Sequence, residues 1–119
     1  TMIWMDKVHF ANVMQNLLDN ALKYNNKHQP IIDISMWEDG QSLYISMTDN
    51  GRGIPEKHIN NIFDKFFRVP TKDMNEIKGY GLGLSYVKAV ADLHKGNISV
   101  KSKISEGTTF SMRVPLSGV

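Results

Sequence analysis

Between residues 6 and 26, Phe10, Val13, Met14, Leu17, Leu18, Ala21 and Leu22 recur at steps of three and four. This spacing predicts a helix with one apolar face. Asp6 stands where an N-cap belongs, and Asn25, Asn26 and Pro30 mark the end. The period then shortens to two. Residues 31–38 alternate with Ile32, Ile34 and Met36 on one face, and residues 42–48 alternate with Leu43, Ile45 and Met47. Asp39-Gly40 between them is a hairpin signal, so the two runs read as antiparallel strands. Trp37 and Tyr44 fall on the other face, which reads as partly covered sheet surface. Pro55-Glu56 suits the first turn of a short helix reaching about Phe63. Residues 69–80 follow neither period, and so long an irregular run in a compact domain predicts a lid or binding loop, with Phe63, Phe66 and Phe67 as its anchors. A second long helix is expected from the glycines at 79–83 to about His94, burying Leu84, Val87, Val90, Ala91 and Leu93 and closed by Gly96. Residues 97–103 and 108–116 alternate as two last strands, with Ile98, Val100, Phe110, Met112 and Val114 facing inward.

Composition narrows the class. The chain has 119 residues, 41% of them hydrophobic and 22% charged. This suits one globular domain that buries roughly two-thirds of its unfolded surface. Zero cysteines exclude a disulfide framework and a thiolate metal site. A formal charge of +2 with no run of lysine or arginine gives no nucleic-acid footprint. No apolar stretch approaches the roughly 18 residues a membrane span needs.

Three stretches carry candidate chemistry. Asp49 ends a strand and enters a loop with Gly51 and Gly53. A half-buried carboxylate there could accept a hydrogen bond from an amino group, and the glycines would let a flat ligand approach the main chain; a tight turn explains the same residues. Asn16, Asn20 and Lys23 lie within roughly 60° of one another on the first helix. Asparagine is a poor helix former, so the trio reads either as a solvated face or as a group holding a cation and phosphate oxygens. Gly79, Gly81 and Gly83 open a helix whose free N–H groups would favour an anion. The run is neither a Walker loop nor a Rossmann fingerprint, and alone it is weak.

Together, in order and spacing, Asn16-Leu17-Leu18-Asp19-Asn20-Ala21-Leu22-Lys23-Tyr24, Asp49-Asn50-Gly51-Arg52-Gly53, Phe63-Asp64-Lys65-Phe66 and Gly79-Tyr80-Gly81-Leu82-Gly83 resemble the nucleotide boxes of the sensor histidine-kinase catalytic domain, a branch of the Bergerat-fold ATPases. Gly107-Thr108-Thr109-Phe110 resembles the family's last glycine box. The resemblance covers nearly all of the chain from Asp6. It implies an α+β fold: a two-layer sandwich with a mixed, mostly antiparallel sheet, about three helices on one face and an ATP lid. It also implies that residues 1–119 are the ATP-binding part of a larger kinase, with ATP and Mg2+ as ligands.

By the same resemblance Asn20 is the magnesium ligand, with Asn16 one turn earlier. Lys23 and Arg68 contact phosphate, and Tyr24 lies near the sugar or lid. Asp49 reads the adenine amine, with Gly51, Gly53 and Ile54 around the base. Gly79, Gly81, Leu82, Gly83 and Leu84 hold the phosphate chain, and Thr109 belongs to the last box. ATP-hydrolysing relatives carry a general-base glutamate where Asn16 stands. An amide cannot take a proton from water at neutral pH, so hydrolysis is expected to be slow and a bound γ-phosphate to await another nucleophile. That nucleophile would be a histidine on a separate dimerisation domain, passing the phosphate on to a response-regulator receiver domain. His9, His28, His58 and His94 lack an acceptor-box context and are expected at the surface. Tyr80 departs from the small residue usual in its box. The fold also serves non-catalytic nucleotide-binding modules and anti-sigma-type serine kinases. A parent of the usual kind would be membrane-anchored with this domain cytoplasmic.

Overall fold

The computed structural model describes residues 7–23, 25, 27, 29–64 and 83–116. Along these, helix α1 (Lys7–Lys23) leads into a hairpin of β1 (Ile32–Glu38) and β2 (Ser42–Asp49). A short 3-10 helix (Glu56–Asn61) and helix α2 (Gly83–Leu93) follow, then β3 (Asn97–Lys103) and β4 (Gly107–Pro115). The cap expected at Asp6 lies outside the described residues.

The sheet order is β1-β2-β4-β3, and each neighbouring pair runs antiparallel. The last strand is inserted between the second and third, so β2 and β4 form the centre. Alternation places Ile45 and Met47 of β2 on one face with Phe110, Met112 and Val114 of β4, and all five are buried. Onto them pack Val13 and Leu17 of α1 and Val87, Val90 and Ala91 of α2, forming one core. Phe63 meets Phe110 edge-on at 6.3 Å and 78°, which holds the end of the 3-10 segment on the core, while the 69–80 run it was expected to anchor lies outside the described residues. Phe66 and Phe67 lie outside the described residues.

Several expectations need correction. Leu22 is 52% exposed, because a fifth residue step from Leu17 carries it roughly 140° round the helix, past the buried stripe. Leu93 at the end of α2 is likewise exposed. Ile34 and Met36 face the helix side yet stay about half exposed, since among the described residues β1 is an edge strand and the helices pack on β2, β4 and β3. His9, His58 and His94 are half-buried rather than surface residues. His9 Nδ1 lies 2.8 Å from the Tyr86 hydroxyl, tying α1 to α2, and His94 Nδ1 lies 2.8 Å from the Val90 carbonyl oxygen. An imidazole has an apolar body with a polar tip, so a helix junction suits it.

Gly96 closes α2 as expected, with Lys95 rather than the glycine in the positive-φ conformation, at φ 59°. The Gly96 N–H donates to the Ala91 carbonyl at 2.8 Å and the Lys95 N–H to Asp92 at 3.1 Å. These are the two closing bonds of a Schellman turn. Glycine is required at 96 for a different reason: a Cβ there would lie 1.9 Å from the Arg113 carbonyl oxygen of β4.

Candidate functional site

Period-two alternation carries Asp49, two residues beyond Met47, onto the helix side of the sheet just where β2 runs out of core. The carboxylate is half-buried. Burial pushes its pKa above the ordinary aspartate value; N–H donation from Gly51 and from Thr108 pulls the other way without cancelling it. The Gly51 bond, to Oδ1, measures 2.8 Å and closes a tight turn. So the turn reading of this loop is realised by the Asp49 side chain.

The far side of the loop is pinned to the β3–β4 turn. Ser102 Oγ accepts the Ile54 N–H at 2.7 Å, donates to the Gly107 carbonyl at 2.9 Å and lies 2.8 Å from Thr108 Oγ1. The Ser105 N–H donates to the Arg52 carbonyl at 2.8 Å. Gly53, at φ 76°, passes so close to β3 that a Cβ would sit 2.2 Å from the Lys103 carbonyl oxygen. Its glycine is therefore required by packing of loop on strand, whether or not a base approaches it. Ile54 turns inward and packs on the core, as does Leu84.

Asn16 and Asn20 lie half-buried on the flank of α1, and Lys23 is exposed in its last turn. Asn16 meets the start of α2: a Cβ on Gly83 would come within 3.1 Å of Asn16 Oδ1. The asparagine flank and the last glycine of the glycine-rich run are thus brought together. Among the described residues neither asparagine amide makes a side-chain hydrogen bond.

Thr109 is not beside Asp49. In the β2–β4 register Asp49 pairs with Thr108, while Thr109 pairs with Thr48 on the opposite face, their hydroxyls 2.9 Å apart. Thr108 is the buried threonine on the carboxylate's side. Both Thr108 and Thr109, with Thr48, Asp49, Lys101 and Ser102, line a hollow of about 300 Å³ at the end of the sheet. Ser102 and Thr108 were missed by sequence reasoning. The available signal was parity: both are hydroxyls at inward positions, where a polar group needs partners. Tyr24, Arg68, Gly79, Gly81 and Leu82 lie outside the described residues.

A helix pair over one face of an antiparallel sheet, with a half-buried carboxylate at the end of a central strand and an amide-bearing flank on the first helix, defines a two-layer α+β domain. The chain belongs to the histidine kinase-, DNA gyrase B-, and HSP90-like ATPase family, which matches residues 5–118. It is 41% identical over 115 residues to the sensor protein RprX of Bacteroides fragilis (strain YCH46), covering 96% of this chain and 22% of that protein. To the sensor histidine kinase WalK of Bacillus subtilis (strain 168) it is 35% identical over 112 residues, covering 93% of this chain and 18% of that one. The chain thus spans about a fifth of the length of these curated relatives. Among solved structures, the mycobacterial sensor histidine kinase MprB superposes with a TM-score of 0.83 at 26% identity, over 96% of this chain and 76% of that one. The catalytic domain of the histidine kinase ThkA superposes with a TM-score of 0.76 at 28% identity, over 93% and 69%.

Proposed function

We propose that this chain is the ATP-binding catalytic domain of a two-component sensor histidine kinase, which binds Mg-ATP and donates the γ-phosphate to a histidine on a separate dimerisation domain. The observation that carries this reading is the Asn16 carboxamide set against the first residue of α2, where phosphates are expected at the helix start. A neutral amide there can accept a hydrogen bond or ligate a cation, but it cannot deprotonate water. Asp49, half-buried and accepting from the Gly51 and Thr108 N–H groups, keeps lone pairs free for an adenine amine.

The donor set fits Mg2+. Asn20 and Asn16 offer hard amide oxygens with no side-chain partner among the described residues, and Mg2+ takes few protein ligands beside water and phosphate oxygens. When bound, the ion neutralises charge building on the phosphates. Lys23, and Arg68 by resemblance, supply further positive charge. Positioning and charge neutralisation are most of what phosphoryl transfer asks of a protein. The accepting imidazole, the receiver domain downstream and a membrane anchor in the parent all belong to this reading. No helix among the described residues is long and apolar enough to cross a membrane.

The test combines the chain with γ-labelled Mg-ATP, with and without a purified histidine-bearing dimerisation domain. The expected outcome is acid-labile label on that domain's histidine and slow release of phosphate without it. Binding with no transfer would make this a nucleotide-binding module, and acid-stable label on serine would make it a serine kinase of the same fold.

A further inference from the structure

We infer that Asn50 is a positioning residue that ties the adenine-reading loop to the end of α1, and so couples the base-binding and phosphate-binding halves of the cleft. This rests on the nucleotide reading above. Asn50 directly follows Asp49, yet its side chain is spent on the segment leaving α1. Its Oδ1 accepts from Asn25 Nδ2 at 2.8 Å and from the Ile31 N–H at 2.9 Å, which engages both lone pairs. Its Nδ2 donates to the Gln29 carbonyl at 3.1 Å, and its backbone N–H to the Ile31 carbonyl at 3.2 Å. Asn25 is fixed in turn: its N–H donates to the Leu22 carbonyl in the last turn of α1, and its Oδ1 accepts from the Lys27 N–H at 2.9 Å. A continuous set of hydrogen bonds therefore runs from the helix bearing Asn16, Asn20 and Lys23 to the residue beside Asp49.

The opposite side of the loop needs none of these bonds. Asp49 is held by Gly51 and Thr108, Ile54 by Ser102, and Arg52 by Ser105. Losing the Asn50 amide leaves the base-reading carboxylate in place and unties the α1 end from it. A ligand that reaches only the base should scarcely notice. A ligand that spans from base to phosphates depends on that fixed separation, and should bind less well.

The experiment is calorimetric titration of the chain with adenosine and, separately, with the magnesium complex of a non-hydrolysable ATP analogue. Asn50→Ala is expected to weaken the analogue roughly tenfold, the scale of one or two lost hydrogen bonds, and adenosine by less than about twofold. Asn25→Ala removes one bond of the set and is expected to weaken the analogue about threefold; the double variant should be no weaker than Asn50→Ala, because both act through one chain of bonds. If Asn50→Ala does not fold, Asn25→Ala alone carries the comparison between the two ligands. Parallel losses for both ligands, or no loss for either, overturn the coupling while the nucleotide reading stands. A folded wild type that binds neither ligand overturns the nucleotide reading and this inference with it.

Discussion

At the scale of single residues, Asp49 shows how a site strains against the fold that holds it. Burial raises its pKa above the ordinary value of 3.8. A carboxylate with a raised folded pKa holds its proton more tightly when folded than when unfolded. Stability is therefore greatest below the unfolded pKa and falls as pH rises through the folded one, so the ionised group disfavours the fold at neutral pH. Asp49→Asn is expected to keep or slightly raise the thermal midpoint, while adenine-nucleotide binding is lost in calorimetry. Equal damage to melting and binding would mean that the carboxylate serves the loop and no ligand. In the wild type, affinity should begin to decline on acidification at a higher pH than an unburied aspartate would give. The turn at Asp49 was legible from the loop alone, whereas its proposed role was suggested only by the company of the other boxes, since a tight turn explains the same residues. Which threonine joins it was not legible. Choosing Thr108 over Thr109 depends on register, and one residue of register exchanges the two faces.

At the scale of elements, both helices and all four strands were legible from period alone; their ends were not. The first helix stops at Lys23 rather than 26, and the 3-10 helix closes at Asn61 rather than near Phe63. The end of α2 shows why boundaries escape: Lys95-Gly96 reads as a glycine cap, whereas the cap conformation falls one residue earlier. Sequence identifies glycine as the residue best able to turn. It does not reveal that β4 needs the same glycine for clearance. The two roles are separable by mutation. Lys95→Gly should relieve left-handed backbone strain and stabilise by up to about 1 kcal/mol, less the entropy added to the unfolded chain. Gly96→Ala forces a Cβ onto a backbone oxygen that cannot swing aside, and should destabilise by roughly 2 kcal/mol or more. Thermal or urea melts of the two variants should move in opposite directions. If Gly96→Ala were harmless, β4 would have to lie farther from the end of α2.

At the scale of the whole molecule, period states which side chains share a face but not whether anything covers it. Ile32, Ile34 and Met36 share the helix side of β1, and only Ile32 is partly buried. Cover is set by strand order: the helices pack on β2, β4 and β3, and among the described residues β1 is left at a rim. Ile34 at 47% exposure, Met36 at 52% and Trp37 at 50% then stand on a strand that, among the described residues, has a strand partner on one side only. Trp37 is partly occupied by stacking on Tyr44 at 5.4 Å, whereas the two aliphatic side chains face outward from the edge of the core. An apolar strand with a free edge is a template for pairing with another chain. Replacing Ile34 and Met36 together by lysine is therefore expected to suppress concentration-dependent association, read by sedimentation or light scattering. The cost in folding stability should stay within about 0.5 kcal/mol per site, as for ordinary surface positions. A loss of several kcal/mol would instead mean that these side chains are packed in the folded chain, and that the sheet does not end at β1.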